Sequence, residues 1–184
     1  MAQNNLHNRL LNVIKNHLEG WYVGTIDYIS DKIHNGEMYT ITYLWKDVAN
    51  EGSVNLRLLA NSTHSCHFKF SITSTGMIYF KTYLDTTYTA NGTEYTPFNR
   101  KTDVTDSANV TVYTDATIDS FGDLRGDGVA GSGTNAPSRI GASGAGDKSE
   151  SVLMPDNDML IYIQNVAGAT NDIGININFY EVEE

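Results

Sequence analysis

The stretch Cys66–Ile118, CHFKFSITSTGMIYFKTYLDTTYTANGTEYTPFNRKTDVTDSANVTVYTDATI, decides the fold. Cys66, Phe68, Phe70 and Ile72 alternate with His67, Lys69, Ser71 and Thr73, the two-residue period of a strand with one dry and one wet face. The Ser74-Thr75-Gly76 cluster punctuates. Ile78, Phe80, Thr82 and Leu84 then alternate with Tyr79, Lys81 and Tyr83, which predicts a second strand turning straight back on the first as an antiparallel hairpin. Asn91-Gly92 marks another turn and Pro97 ends extended structure. Val110, Val112 and Thr114 against Thr111 and Tyr113 restart the alternation. No helical period occurs in this stretch.

Outward from it, the same period recurs on both sides. Asn35-Gly36 is a turn signal, after which Tyr39, Ile41, Tyr43 and Trp45 form one strand face and Val54, Leu56 and Leu58 another. Downstream, Ser151 to Met154, Met159 to Gln164 and Ile173 to Phe179 read as strands, with Ile173, Ile175, Ile177 and Phe179 pointing one way. Between them, Phe121 to Glu150 holds eight glycines in thirty residues and few large apolar groups, which predicts a long exposed loop.

The N-terminus differs in kind. In Asn5 to Gly20 the apolar residues Leu6, Leu10, Leu11, Ile14 and Leu18 fall three and four apart, the stripe of a helix of about four turns. Asn4 or Asn5 can cap its start and Gly20 its end. A helix this short is marginal alone in water, so the stripe predicts an arm that docks on a neighbouring subunit or on a larger surface; packing on its own sandwich is the alternative. Trp21 to Ile29, broken by Gly24, reads as an extended connector or an edge strand. The expected organisation is an arm over residues 1–36 and an all-β domain over 37–184 with a glycine-rich loop at 121–150. About eight short strands without interposed helices suit an antiparallel two-sheet β-sandwich of jelly-roll type.

Five ordered blocks carry a family resemblance. The run S-I-T-S-T-G (Ser71–Gly76) followed by a strand, then T-Y-T-A-N-G-T-E-Y-T-P-F-N-R (Thr87–Arg100), then V-T-V-Y-T-D-A-T-I (Val110–Ile118), resembles the head decoration, or cement, proteins of tailed bacteriophages. S-V-L-M-P-D-N-D-M-L-I-Y-I-Q-N (Ser151–Asn165) and I-G-I-N-I-N-F-Y-E (Ile173–Glu181) resemble the closing strand pair of those proteins after a glycine-rich connection. The likeness covers roughly residues 50–181. It departs at Ser151 and Val152, where the family pattern leads us to expect an aromatic, and residues 1–36 have no counterpart. The resemblance implies a structural virion protein on the outer capsid surface. Its partners would be the major capsid protein and further copies of itself, as a homotrimer; it would not be an enzyme and would need no cofactor.

Composition sets bounds on partners. The chain has 184 residues, enough for one domain with a continuous apolar core. Its net charge of −10, from 12 basic and 22 acidic residues, would repel a phosphate backbone, so nucleic acid is not expected as a partner. No stretch nears the ~20 apolar residues of a membrane span, and no charged start leads into an apolar run, so synthesis in a reducing cytoplasm is expected. The single cysteine, Cys66, sits at an inward strand position and reads as a small buried hydrophobe.

The candidate chemistry has bland explanations. His64, Cys66 and His67 invite a metal reading, but adjacent strand residues face opposite sides, so Cys66 and His67 cannot converge on one ion. Gly126 to Gly146 lack the Gly-Lys-Ser/Thr of a phosphate loop. Arg125-Gly126-Asp127 matches a cell-adhesion tripeptide, a short match that arises easily in a glycine-rich loop. Asn61, Asn91 and Asn109 begin glycosylation sequons that stay unmodified without a secretory route. Asp103, Asp106, Asp115, Asp119, Asp123 and Asp127 fall in loops and turns, where Asp is favoured for backbone reasons; calcium at Asp115, Asp119 and Asp123 does not fit an EF-hand spacing. Tyr79, Tyr83, Tyr88 and Tyr95 are the residues an alternative function would use, as stacking platforms of a carbohydrate-binding or head-fibre receptor-binding module.

Overall fold

A computed structural model describes residues 28–131, 138–141 and 151–184, residues 138–141 by their backbone alone. The compact unit Lys32–Glu184 is the β-domain, and Met1–Asp31 form a separate unit. The stripe Leu6, Leu10, Leu11, Ile14 and Leu18 lies outside the described residues, as do residues 132–137 and 142–150. The described chain begins with helix α1 (Tyr28–His34), closed by a turn in which Gly36 N–H donates to Ile33 O at 3.0 Å. Tyr28 and Ile29 are therefore helical, where an extended connector was expected.

Fourteen strands follow, in chain order β1 Met38–Val48, β2 Ser53–Leu59, β3 His64–Ser74, β4 Ile78–Leu84, β5 Thr87–Ala90, β6 Thr93–Tyr95 and β7 Phe98–Asn99. The second half comprises β8 Thr111–Thr114, β9 Thr117–Ser120, β10 Asp123–Ala130, β11 Ser138–Gly141, β12 Ser151–Leu153, β13 Asp158–Asn165 and β14 Asn171–Glu183. One sheet runs β11-β3-β14-β1-β7, with β12 also on β3; the second runs β10-β4-β13-β2-β8-β6; β5 and β9 form a two-stranded ribbon. All pairings are antiparallel. The two large sheets pack face to face as the sandwich the alternation predicts.

The core lies where the period-two pattern places it. Ile41 of β1, Leu56 and Leu58 of β2, Phe68 and Ile72 of β3, Ile78 of β4, Ile161 and Ile163 of β13 and Ile173, Ile177 and Phe179 of β14 are all fully buried and form one cluster. Tyr39 stacks on Phe179 with ring centroids 5.3 Å apart. Cys66 is buried here too, and burial first and then the Glu181 carboxylate push its thiol pKa up, as befits a core side chain rather than a nucleophile.

Two expectations are corrected by the strand order. β3 and β4 do not form a hairpin. β3 pairs with β14, β11 and β12, and β4 with β13 and β10, in opposite sheets. A dry face can be buried across the core as well as beside a neighbour in one sheet, so alternation cannot choose between them. The crossing is held by side chains: Gly76 N–H donates to Asn171 Oδ1 at 2.8 Å and Thr75 Oγ1 to the same oxygen at 2.7 Å. Asn165 Nδ2 reaches the carbonyls of Val48, Ala49 and Ala169 at 2.8, 3.0 and 2.7 Å. These two asparagines are buried and tie three connections at one end of the sandwich, satisfying backbone groups that would otherwise be costly to bury. β13 and β14 likewise lie in different sheets and are not a pair.

The second correction concerns Phe121 to Glu150. Asp123–Ala130 is a strand at the edge of the second sheet, in register with β4 from Asp123↔Leu84 to Ala130↔Ile78, and Ser138–Gly141 pairs with β3. An edge strand is held by its backbone ladder, so a poverty of apolar side chains does not forbid it. One glycine is required here: a Cβ on Gly128 would lie 2.5 Å from Cε1 of Phe80, whose ring occupies that space.

Candidate functional site

The outer faces of the two sheets are built from the alternate residues of the same strands, and they differ sharply. On the β3-β14-β1 sheet the outward rows are Lys69-Asn178-Thr40, Ser71-Asn176-Thr42 and Thr73-Gly174-Leu44. Lys69 carries the one charge among these nine positions. Asn176 Nδ2 donates to Thr42 Oγ1 at 2.9 Å and Asn178 Nδ2 to Asn176 Oδ1 at 2.8 Å, a cross-strand amide and hydroxyl network that holds the side chains in place. Thr42, Lys69 and Leu44, the last 53 % exposed, reach solvent. Apart from Lys69 these positions are uncharged and hydrogen-bonding; the next outward row, Met38 and Tyr180, is buried.

Part of the outer face of the β4-β13-β2 sheet is covered by its own chain, while Tyr79 and Lys81 of β4 stay exposed. Leu160, Tyr83 and Asn55 occupy outward positions yet are 0 %, 9 % and 8 % exposed. Asn55 accounts for its burial by two bonds to one backbone unit: Nδ2 donates to Ala116 O at 3.0 Å and Oδ1 accepts from Ala116 N–H at 2.9 Å. Phe121 lies against Tyr83 and Tyr162, centroids 4.8 and 5.3 Å away. Arg57 Nε donates to Asp158 Oδ2 at 2.9 Å and Nη1 to Asn91 Oδ1 at 2.9 Å, while its guanidinium sits 4.1 Å from the Tyr88 ring centroid and 5.9 Å from that of Tyr113. Burial and the Asp158 carboxylate raise the Tyr88 hydroxyl pKa, against the opposing pull of Arg57. The β5-β9 ribbon supplies Tyr88 and thus forms part of this cover.

The four tyrosines named as stacking platforms fare differently, and only Tyr83 is withdrawn from the surface. Tyr79 remains open at 45 %, but Tyr83 is buried, Tyr88 is stacked on Arg57, and Tyr95 Oη donates to Thr42 O at 2.9 Å. Arg125-Gly126-Asp127 lies in β10 rather than in a loop, with Arg125 as the extra residue of a bulge between the Leu124↔Tyr83 and Gly126↔Thr82 pairs. Asp115 accepts from Trp45 Nε1 at 2.9 Å and holds a left-handed turn at φ 57°, which explains its identity without an ion. Cys66 points into the core while His67 stacks on Tyr180 at 4.8 Å. Among the described residues no three His, Cys, Asp or Glu side chains are grouped to hold a metal.

A polar cleft of about 460 Å³ opens beside β14, lined in part by Lys32, Tyr39, His64, Asp106, Asn109 and Glu181. Its most buried carboxylate is engaged: Glu181 Oε1 accepts from Val110 N–H at 2.7 Å and Oε2 from Asn109 Nδ2 at 2.9 Å. Sequence reasoning missed Glu181 and the Arg57–Asp158 pair: Arg57 and Asp158 face outward by alternation and are buried only by a distant segment, while Glu181 continues the inward register of Ile173 to Phe179 and finds its partners in Asn109 and Val110, far away in sequence. Among the described residues no helix is long and apolar enough to cross a membrane.

No family model matches the sequence, and no curated protein does. Among solved structures, a chain of infectious bursal disease virus, Gt strain, aligns at 13 % identity and TM-score 0.16 over 80 % of this chain and 40 % of that one. A chain of the Gx strain aligns at 9 % identity and TM-score 0.13 over 78 % and 42 %. The protein thus spans about two fifths of either viral chain, and similarity this weak bears on neither family nor function.

Proposed function

We propose that this chain is a structural virion protein that decorates the outer surface of a phage capsid and bridges adjacent capsomers, and that its sandwich is of the jelly-roll type. The order β12-β3-β14-β1 faces β10-β4-β13-β2, and every step along these eight strands crosses the core except β4 to β10, between which β5–β9 are inserted. That order supports a reading as two interleaved Greek keys. The geometric observation that carries the reading is the largely uncharged Thr/Asn stretch of the β3-β14-β1 outer face that reaches solvent at Thr42, Leu44 and Lys69, beside the ordered resemblance along residues 50–181. In this reading the major capsid protein is the partner, the protein acts as a homotrimer and not as an enzyme, and the stripe Leu6, Leu10, Leu11, Ile14 and Leu18 docks as an arm. Stable attachment needs an interface of about 1,000 Å² or more, so arm and face would contribute together.

Binding to the assembled shell but not to its dispersed subunits stabilises the shell by mass action, roughly 2.7 kcal/mol per site at a hundredfold excess over Kd. The test compares particles with and without the protein during heating or osmotic shock. Genome release at a lower temperature from particles lacking it is expected; release at the same temperature rejects the reading.

A further inference from the structure

We propose that Asn91 is a site of spontaneous deamidation in the folded protein, while the identical dipeptide at Asn35-Gly36 is protected. In an Asn-Gly pair the glycine nitrogen can attack the asparagine Cγ once its proton is removed, since no side chain on glycine hinders the approach. The fold treats the two pairs differently. Gly36 is buried and its N–H donates to Ile33 O at 3.0 Å, so its nitrogen is engaged. Asn91 and Gly92 are both exposed, and Gly92 N–H meets no acceptor among the described residues. Arg57 Nη1 donates to Asn91 Oδ1 at 2.9 Å, which draws electron density from Cγ and stabilises the oxyanion that forms on that oxygen during attack.

The chemistry needs only water. Hydroxide removes the Gly92 amide proton, the nitrogen bonds to Cγ, and the Cγ–Nδ2 bond breaks as Nδ2 takes a proton and leaves as ammonia. Water then opens the succinimide at either carbonyl, giving aspartate or isoaspartate. The second product lengthens the backbone by one methylene. The backbone at Gly92 runs close to β8, where a Cβ would lie 2.2 Å from Thr114 O, so a longer link from β5 to β6 would have to shift against that strand.

The full-length protein is held folded at mildly alkaline pH, digested, and the mass and isoaspartate content of both peptides followed, with a sample in denaturant as reference. Conversion at Asn91 is expected to run roughly tenfold ahead of Asn35, the order of effect of one hydrogen bond that must open, and the two rates should converge in denaturant. Equal rates in the folded protein, or Asn35 ahead, overturn the proposal. In Arg57→Gln, slower conversion at Asn91 with Asn35 unchanged is expected; a rate at Asn91 that holds or rises overturns the part given to the guanidinium.

Discussion

The two outer faces of the sandwich come from the same alternation and are covered in different places: Met38 and Tyr180 are buried at one end of the first, Leu160, Tyr83 and Asn55 over much of the second. The β3-β14-β1 face keeps Thr, Ser and Asn in contact with water. The β4-β13-β2 face is roofed over Tyr83, Leu160, Arg57 and Asn55 by Phe121, Ala116 and the β5-β9 ribbon, with the arginine against the Tyr88 and Tyr113 rings, and is open at Tyr79 and Lys81. An outward strand position is therefore not a statement about solvent. Whether it is wet depends on whether a distant segment returns to cover it, as the segment inserted between β4 and β10 does over Tyr83, Arg57 and Asn55.

Four measurements break or sharpen this contrast. The largest effect is expected from Arg57→Ala, which strands the part-buried Asp158 carboxylate and removes the stack on Tyr88; a loss of about 3 kcal/mol in denaturant unfolding is expected. A near-neutral result would mean that the roof is held by other contacts. Next comes Gly128→Ala at the edge of the same sheet, where the new methyl must displace the Phe80 ring; about 1–3 kcal/mol is expected, with β10 losing hydrogen-exchange protection first.

Alkaline pH supplies the third. Cys66, Tyr88 and Tyr39 all have folded-state pKa values raised chiefly by burial, so the folded state retains their protons where the unfolded chain has released them. Their contribution is fully present below the ordinary values of 9.0 for cysteine and 10.0 for tyrosine, and is lost as pH climbs above them. Melting temperature should be flat up to that range and fall beyond it, and Cys66→Ala should move the onset upward. The smallest stability effect is expected on the open face: Thr42→Val with Asn176→Ala should change stability by no more than about 0.5 kcal/mol while weakening attachment to capsids. A large destabilisation there would show that the Asn/Thr network holds the sheet together rather than presenting a surface.

Much of the fold was legible because the signal is local. Tyr39, Ile41 and Trp45, Cys66, Phe68 and Ile72, and the run Ile173 to Phe179 all place their dry faces where alternation puts them. Strand partners were not legible: β3 and β4, with matching faces and a three-residue link, look like a hairpin and instead sit across the core. Nor was β10, since a glycine-rich segment that fails as a core strand can still pair at an edge through its backbone. Of the site, the largely uncharged Thr/Asn stretch could be read from β1, β3 and β14. Of the tyrosines, Tyr79 stays open as expected, whereas Tyr83, Tyr88 and Tyr95 find partners in Phe121, Arg57 and the Thr42 carbonyl, none of them a near neighbour in sequence.

The sequence by itself determined that this is an all-β domain with a continuous apolar core, since side-chain period is a property of consecutive residues and needs no knowledge of the partner. Only the tertiary structure decided which strands neighbour one another, which outward positions stay open and which of two identical Asn-Gly pairs is exposed to attack. Those outcomes depend on contacts between residues far apart in the chain, such as Asn55 with Ala116, Arg57 with Asp158 and Asn171 with Gly76, and nothing local in either partner announces the other.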